Sequence, residues 1–484
     1  MVTRFFSAAA ALFVAWPTLL ASAVVSPPQL PVERACGENE ASRGCVGARR
    51  GPRGWWAQVH DKVFYPPPTS MLELSHDISD YYYAVGHPSA LTDDLRAHRV
   101  AGAGLYHIFH LPGGASTLRL PSEGGRRAAF SPLTQLRAGT VLGDFPLYSA
   151  AVNYTNPLGP SQRELEQTMV AEVTPALFGE TLRDITSIGA GGVATRSWEN
   201  AEASKAAVDH LQNQFLAFGL SSCVDKFVHA GKQVANVIAM IPGTASAHEA
   251  LWMLAHYDSR PFQGPAPGAE DNGSGVTAML IAAKLAAANG VQPAKDIMFA
   301  AVGGEEAGLL GSKQLVPELQ RGVPGFRQQL ASGPPQKFEE CQHASGSFLQ
   351  RQEKRVGFNS AIVFDEVGWA SPKRAKRTVN FETFDTPKTS AIMQHLAHAN
   401  VDHNGAEMAL EHSNNPFGSD HMPFLNNDEA AVLIINSDDS DYPFYHKSGD
   451  TFEQVDLDYG VRVTRMALAG MLRFASFDAT TMVA

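Results

Sequence analysis

Cysteine, positive charge and long apolar stretches are all scarce in this chain, and each scarcity excludes a class of protein. The 484 residues include four cysteines, none spaced as C-x-x-C, which excludes a cysteine-based zinc knuckle. Lysine and arginine number 38 against 49 acidic residues, and the net charge of -11 argues against a nucleic-acid partner. No segment after the first 23 residues is long and apolar enough to span a bilayer, so no stable membrane association is expected.

The first 23 residues are the apolar exception. Arg4 precedes an apolar stretch that Pro17 interrupts, and Ala21, Ser22 and Ala23 resemble a cleavage site. We therefore predict a secretory signal peptide over residues 1–23 and a secreted or secretory-lumen protein. In an oxidising compartment the cysteines favour one or two disulfides, with the pairing left open among Cys36, Cys45, Cys223 and Cys341.

The remaining chain divides into two parts by composition. Residues 24–165 are rich in proline and glycine, as in YPPPTS and LPGG, and predict short elements in a pro-segment or accessory domain. Residues 166–484 are more regular, with a surface insertion expected at 313–355. In an exported protein, Asn153-Tyr154-Thr155 predicts a glycosylation site, whereas the sequon at Asn272 should stay unmodified inside the proposed site.

Apolar runs alternate with helical patterns after residue 166. Strands are predicted at 233–241, 250–255, 297–302, 378–384 and 431–436 and in the run before Asp365, and helices at 200–219, 276–289, 388–400 and 459–474, with another from about Ala307. This alternation predicts an α/β fold with a mainly parallel, mixed sheet sandwiched by helices, preceded by an irregular N-terminal segment.

The stretch IMFAAVGGEEAGLLGS at residues 297–312 carries the first chemical signal. A buried strand ends in two glycines and is followed by Glu305 and Glu306. Because successive side chains of an extended backbone point to opposite sides, one carboxylate can bind a metal while its neighbour faces the water that the metal activates. The alternative is an acidic helix N-terminus favoured by the helix dipole.

Four further candidates favour the metal interpretation. His256 ends one apolar run, Asp271 follows it in EDNGSG before a helix, Asp365 ends a third run, and His446 stands in YPFYHKSGDT. Imidazole and carboxylate are the usual ligands of zinc outside cysteine sites. An open α/β sheet places its ligand-binding residues at the carboxyl ends of its strands, where these residues are expected.

The ordered set HYDS, APGAEDNGSG, GGEEAGLLGS, FDEVG, SDHMPF and YHKSGDT resembles the co-catalytic dizinc exopeptidases of clan MH. These include secreted leucine-type aminopeptidases, glutamate carboxypeptidases and glutaminyl cyclases, and the resemblance covers residues 166–480. It implies the zinc exopeptidase fold and two Zn²⁺ per chain. One zinc would be held by His256, Asp271 and Asp365, and the other by Asp271, Glu306 and His446.

The same resemblance implies the catalytic roles. Glu305 would be the general base, and Asp258 would orient His256 from behind the metal. Some of these aminopeptidases carry a tyrosine shortly before the SDH run that stabilises the oxyanion, but here Asn414 to Gly418 contain none. Tyr445 resembles the tyrosine that the glutamate carboxypeptidases place in this role, and His421 is the rival donor.

The resemblance implies a zinc aminopeptidase that releases N-terminal residues from peptides with a free N-terminus. A glutaminyl cyclase is the alternative, although its relatives have Asp-Ser-Ala where this chain has Asp271, Asn272 and Gly273. A receptor-like homologue that has lost its ligands is disfavoured because every ligand position is filled. The sequence carries no signal for an oligomeric state.

Overall fold

The computed structural model describes residues 148–475, apart from gaps at 152, 246–248, 321–324, 344–358, 406, 414–415 and 417, together with short stretches between residues 46 and 142. The predicted signal peptide, Cys36 and Cys45 lie outside the described residues. Among the described helices, none is long and apolar enough to cross a membrane.

The described part of the N-terminal stretch contains eight short strands. They form two antiparallel four-stranded sheets, in the orders β3-β2-β1-β8 and β5-β6-β4-β7. Short strands agree with the many proline and glycine residues between them. Their bounds are β1 Val46–Gly51, β2 Gly54–His60, β3 Thr69–Leu74, β4 Tyr81–Val85, β5 Arg99–Ala103, β6 Tyr106–His110, β7 Thr134–Gln135 and β8 Val141–Leu142.

A nine-stranded mixed sheet forms the centre of the rest of the chain, beside a two-stranded ribbon of β9 Gly189–Ala190 and β10 Val193–Ala194. Its strands are β11 Ser222–His229, β12 Lys232–Ile241, β13 Ala250–His256, β14 Asp296–Val302, β15 Lys337–Phe338, β16 Asn359–Phe364, β17 Arg377–Glu382, β18 Met408–Ser413 and β19 Ala430–Asn436. The order is β15-β11-β12-β14-β13-β16-β19-β17-β18.

The four strands at the centre of this sheet, β14, β13, β16 and β19, run parallel. Strands β13, β14 and β19 are buried along their whole length, as expected for a sheet covered on both faces. Parallel strands end at the same edge, so the loops that follow them meet there. The mainly parallel α/β fold predicted from the sequence is confirmed.

Helices cover both faces of the sheet. One apolar cluster packs the sheet against α1 Pro160–Glu172, α2 Pro175–Thr186, α3 Ala201–Ala217, α4 Gly275–Ala288, α7 Pro387–Asn404 and α9 Leu457–Ala475. A second cluster packs the other face against α5 Leu310–Gln320, α6 Gly325–Ala331 and α8 His421–Leu425. Helix α4 follows the prediction within one residue at each end, and Gly219 closes α3 with φ +80°, which suits glycine.

The predicted division between residues 165 and 166 falls inside helix α1. Glu166 on this helix is buried and binds Arg473 of α9, so the helix packs with the core of the nine-stranded sheet. The preceding segment also packs on the core, because the Tyr148 amide donates to the Leu410 carbonyl at 2.8 Å. The helices at residues 160–172 and 175–186 were not predicted from the sequence, and the division at residue 165 stays a prediction.

The described part of residues 313–355, the stretch predicted as a surface insertion, packs on the sheet instead. Val316 of α5 and Phe326 of α6 are buried in the second apolar cluster. Strand β15 pairs with β11, and Cys341 forms a disulfide with Cys223 of β11. The glutamine and proline residues between them hid the pattern of the few apolar residues that pack on the sheet, so the sequence predicted a surface loop.

Candidate metal centre and active site

His256 lies at the end of β13 and is the centre of a first cluster. Its Nε2 lies 3.2 Å from Asp365 Oδ1 and 3.3 Å from Asp271 Oδ1. The three residues are buried, and their donor atoms all lie within 4.8 Å of one another. Asp365 directly follows β16, so two neighbouring parallel strands bring these side chains together.

A second cluster shares Asp271 with the first. His446 Nε2 lies 3.2 Å from Asp271 Oδ2 and 3.1 Å from Glu306 Oε2. The donor atoms of this cluster also lie within 4.8 Å of one another. One carboxylate therefore directs one oxygen to each cluster. The structure brings together all five residues that the sequence proposed as ligands.

The loop that carries Asp271 is held from behind by Asp450. The Asp450 carboxylate accepts the amide hydrogens of Glu270 at 2.9 Å and of Asp271 at 3.0 Å, and Tyr442 donates to it at 2.7 Å. The peptide between Asp271 and Asn272 is cis. Helix α4 has Ser274 at its N-cap position and no side-chain cap, so Asp271 is not the cap of this helix.

Glycine is required where this loop closes. A Cβ on Gly275 would lie 2.3 Å from Asn272 Oδ1, far inside van der Waals contact. Asn272 uses that oxygen to accept the Gly275 amide hydrogen and donates its side-chain amide to the Phe364 carbonyl at 2.8 Å. The DNGSG motif therefore fixes the loop against the end of β16.

Glu305 and Glu306 lie on a tight 3-10 turn, Glu305–Ala307, rather than on extended backbone. The prediction that the two side chains point to opposite sides because they lie on a strand was therefore wrong. Gly304 enters the turn with φ +74°. Such a turn has about three residues per turn, so neighbouring side chains still diverge by about 120°. Glu306 faces His446, whereas Glu305 Oε2 lies 4.0 Å from His256 Nε2.

Asp258 supports this turn more directly than it supports His256. Its two carboxylate oxygens accept the amide hydrogens of Glu305 at 3.1 Å and of Glu306 at 3.3 Å. The nearer carboxylate oxygen lies 3.7 Å from His256 Nδ1, too far for a hydrogen bond, while the backbone carbonyl of Asp258 lies at 3.1 Å. The carbonyl of Asp258 therefore orients the imidazole, in place of the predicted carboxylate.

Burial and neighbouring charge give these acids different proton affinities. Burial would raise the pKa of Asp271, but hydrogen bonds from His256 and His446 hold it well below its usual range. Burial raises the pKa of Glu305 well above its usual range; the charge of His256 opposes this, and that of Glu306 adds to it. Burial lowers the pKa of His446, but the Glu306 and Asp271 carboxylates raise it to about 9. The shared acid is thus held as a carboxylate, and Glu305 retains affinity for a proton.

Tyr445 stacks on the imidazole of His446, with ring centroids 3.7 Å apart. The residue is 40% exposed. The pKa of its phenol is nevertheless raised well above its usual value, first by burial of the hydroxyl and then by the charges of Glu366, Asp271, Glu306 and Glu305. The charges of these four acids therefore act on the phenol hydroxyl, although part of the residue is exposed.

The rival donor, His421, is fully buried on α8. Neither ring nitrogen has a hydrogen-bond partner among the described residues. Burial lowers the pKa of this imidazole to about 3, so the ring is neutral at physiological pH.

Several residues of the site were not assigned from the sequence. Arg260 follows the HYDS motif, and its Nε lies 2.8 Å from Glu306 Oε2 while its Nη2 donates to the Glu306 carbonyl at 2.6 Å. Ser419, in the SDH run, donates to Asp365 Oδ2 at 2.7 Å. Asp450 is part of the YHKSGDT motif and Glu366 is part of the FDEVG motif. Their nearness in sequence to His446 and Asp365 was the one feature that could have pointed to them. Their contacts depend on which loops meet in the folded chain, and the spacing of residues in the sequence does not show that.

The sequence profile of peptidase family M28 matches residues 236–471, a range that includes every proposed site residue. This part of the chain belongs to peptidase family M28. A probable zinc metalloprotease of Leptosphaeria maculans is 25% identical over 370 residues, which are 67% of this chain and 81% of that protein. Aminopeptidase YwaD of Bacillus subtilis is 34% identical over 126 residues, 25% of this chain and 26% of that protein.

The M28 domain also resembles solved structures. The LapA aminopeptidase of Legionella pneumophila superimposes with a TM-score of 0.50 at 20% identity, covering 67% of this chain and 78% of LapA. At this identity the match shows a shared fold. The M28 family of zinc metalloproteases and aminopeptidases is consistent with the clan MH resemblance read from the motifs, and the predicted recognition is confirmed.

Proposed function

We propose that this protein is a secreted zinc aminopeptidase that hydrolyses the N-terminal residue from peptides. The observation that carries the proposal is the sharing of Asp271 between two clusters, each with two further nitrogen or oxygen donors. A carboxylate that directs one oxygen to each cluster suits a pair of metals rather than one.

The donor set suits zinc. His256, Asp271 and Asp365 would hold one ion, and Asp271, Glu306 and His446 the other, with imidazole nitrogens and carboxylate oxygens throughout. When bound, the two ions supply Lewis-acid chemistry, lowering the pKa of a water molecule and polarising the scissile carbonyl. Ser419 and Asp450 hold the acids from behind, as metal ligands require.

Glu305 is the proposed general base. Its side chain faces the first cluster but belongs to neither ligand set. The raised pKa allows it to accept a proton from the attacking water and to donate it to the leaving amine. Asp258 fixes the Glu305 amide, so the backbone position of the base is set by the same residue that orients His256.

Tyr445 is the proposed oxyanion donor. Its hydroxyl lies among the acids of both clusters, and a phenol with a raised pKa stays protonated and can donate a hydrogen bond. A donor aimed at a developing oxyanion commonly contributes about 3 kcal/mol to catalysis.

Secretion is supported by the disulfide between Cys223 and Cys341, because such bonds persist in oxidising compartments. Asn153, in the predicted glycosylation sequon, is exposed, as an attached glycan requires. Asn272, in the second sequon, is fully buried in the site loop.

The test is an assay of the purified, zinc-loaded protein on three matched peptides with a free, an acetylated and a glutaminyl N-terminus. We expect release of the first residue from the free peptide, no cleavage of the acetylated peptide, and no ammonia from the glutaminyl peptide. Release of ammonia with formation of a pyroglutamyl product would identify a cyclase instead. No turnover of any peptide, by a protein that also fails to retain zinc, would support the receptor-like alternative.

A further inference from the structure

Residues 303–311, here called the acidic loop, carry the two adjacent glutamates of the site from the end of β14 to the start of α5. The side-chain amide of Asn236, on β12, contacts both ends of this loop. Its Oδ1 accepts the amide hydrogen of Gly303 at 3.2 Å, and its Nδ2 donates to the Gly311 carbonyl at 3.0 Å. One side chain therefore joins the residue after β14 to the second residue of α5.

The direction of the Asn236 amide is determined by its partners. The Gly303 amide can only donate a hydrogen bond, and the Gly311 carbonyl can only accept one. Asp225, opposite Asn236 on the neighbouring strand β11, accepts from the same Nδ2 at 3.1 Å. Asn236 is fully buried, so its hydrogen bonds are closed to bulk water. The amide is thus held in one orientation by three contacts.

Two glycines leave room for this contact. A Cβ on Gly311 would lie 2.3 Å from Asn236 Oδ1 and 2.8 Å from the Gly303 nitrogen. A Cβ on Gly303 would lie 2.6 Å from the Ala235 carbonyl oxygen. Close approach therefore requires glycine at both ends of the acidic loop, and the loop closes directly on the Asn236 side chain.

Asp258 and Asn236 hold different parts of the acidic loop. Asp258 accepts the amide hydrogens of Glu305 and Glu306 in the middle of the loop, whereas Asn236 holds its two ends. The second cluster includes Glu306, while the first cluster has no residue on this loop. A shift of the loop would therefore move the proposed base and one ligand of the second cluster and leave the three donors of the first cluster where they are.

We infer that Asn236 is a positioning residue whose amide sets where the acidic loop places Glu305 and Glu306. This inference rests on the proposed aminopeptidase function, in which the first is the base and the second a metal ligand. A displacement of about 1 Å can lower turnover by about 100-fold. Contacts that orient a metal ligand from outside the site typically contribute about 10- to 100-fold to metal affinity or activity.

The experiment compares the full-length wild-type protein with Asn236→Leu, which has a similar volume and makes none of the three hydrogen bonds. With zinc bound and leucine 4-nitroanilide as substrate, kcat should fall by about 10- to 100-fold. KM should stay within about 3-fold, because the change acts on the base and not on the bound substrate.

Calorimetric titration of the metal-free proteins with zinc gives a measurement that needs no turnover. Asn236→Leu should weaken one of two zinc-binding events by about 10-fold or more. The affected event should be the one that Glu306→Ala also weakens, and the other should keep its affinity.

Asn400→Leu is the matched control. Asn400 is also buried and donates its side-chain amide to the Met408 carbonyl at 3.0 Å, on helix α7, which carries none of the proposed site residues. This variant should have a lower Tm than the wild-type protein, with kcat and both zinc affinities within about 2-fold of the wild-type values.

The double variant Asn236→Asp with Asp225→Asn gives a second test should Asn236→Leu fail to fold. It exchanges the two side chains, so one carboxylate and one amide still face each other, and the acceptor for the Gly303 amide remains. Only the bond to the Gly311 carbonyl is lost, because a carboxylate cannot donate to it. We expect the same selective loss of kcat and of one zinc affinity.

A less stable Asn236→Leu protein that keeps its kcat and both zinc affinities would overturn the inference. Equal weakening of both zinc-binding events would also overturn it, by showing a general loosening of the site. A wild-type protein that binds two zinc ions and cleaves no peptide would instead refute the proposed function. Selective weakening of one zinc-binding event in Asn236→Leu would still support the positioning role.

Discussion

Glu305 and Glu306 are adjacent in sequence and have separate surroundings. Glu306 lies among His446, Arg260 and the shared Asp271, whereas Glu305 faces His256. Burial raises the pKa of both carboxyl groups, and that of Glu305 well above its usual range. The turn that separates them depends on the positive φ of Gly304 and on the two amide hydrogens accepted by Asp258. One turn of the backbone thus places two identical side chains in different surroundings, where one suits a metal ligand and the other a base.

Replacing Glu305 by glutamine should abolish most turnover while leaving the metals bound. The change removes a base without removing a ligand, and general-base catalysis typically contributes about 10²- to 10⁴-fold. Parallel measurements of kcat and of zinc per chain check this. Glu306→Gln is the matched control, since it alters a proposed ligand. Loss of zinc from the Glu305 variant alone would reverse the two assignments.

Asp271→Ala should lower metal occupancy at both positions, because it removes the one residue common to the two clusters. Glu306→Ala should weaken only the second. Elemental analysis and calorimetric titration give the stoichiometry, which we expect to be two for the wild-type protein. A stoichiometry of one that Asp271→Ala leaves unchanged would contradict the bridging role.

For individual residues, the sequence predicted which side chains come together in the site. It did not predict the hydrogen bonds and ion pairs that hold them there. Ordered motifs identify His256, Asp365 and His446 because donors of the right chemistry follow strand ends. Asp450, Arg260 and the carbonyl of Asp258 act through distances between loops. Those distances depend on packing between segments far apart in the chain, and local patterns do not contain them.

At the level of elements, helix α1 is fixed to the core by a buried ion pair. Arg473 Nε donates to Glu166 Oε2 at 2.9 Å, and His403 Nε2 lies 2.8 Å from Glu166 Oε1. The contact joins three helices that are far apart in sequence, α1, α7 and α9. Helix α1 was not predicted from the sequence, because the change in composition near residue 165 falls within it.

Glu166→Gln should destabilise the fold at neutral pH by up to about 3 kcal/mol, because it leaves the buried Arg473 with the half-exposed Asp402 as its remaining charge partner. Burial raises the pKa of Glu166, but the hydrogen bonds from His403 and Arg473 and their charges leave it below its usual value. A lowered carboxyl pKa stabilises the fold above the unfolded-state pKa and loses that effect as pH falls through the folded-state value. The difference from wild type should therefore shrink below about pH 4.

Denaturant unfolding at several pH values measures this difference. Glu164→Gln, on the exposed side of the same helix, is the matched control and should change stability by less than about 0.5 kcal/mol at every pH. An equal effect of the two substitutions would show that the buried pair contributes little.

At the level of the whole molecule, residues 24–165 stay a predicted pro-segment or accessory domain. The structure indicates where a separation from the catalytic unit can be made. Tyr148 donates its amide to Leu410, and the Ala151 amide donates to the Gln394 side chain at 2.8 Å, so the segment from residue 148 packs on α7 and β18.

A chain that begins at residue 148 should fold and retain activity, whereas one that begins at residue 175 should be less stable because it lacks α1 and Glu166. Thermal unfolding of the two purified proteins and of the full chain checks this. Insoluble protein from both truncations, with soluble full-length protein, would show that residues 24–147 are needed for folding.

The bond between Cys223 and Cys341 closes a covalent ring, with a sequence separation of 118, that contains His256, Asp271, Glu305 and Glu306. A single cut in the exposed stretch at residues 331–337, such as one after Lys337, would open the polypeptide without releasing either piece. We expect the cut protein to keep its zinc and to run as one band until reductant separates it into two. Release without reductant would mean that the bridge had not formed. If the protein is secreted as proposed, other proteases could nick it at this stretch while the ring still holds four residues of the site in place.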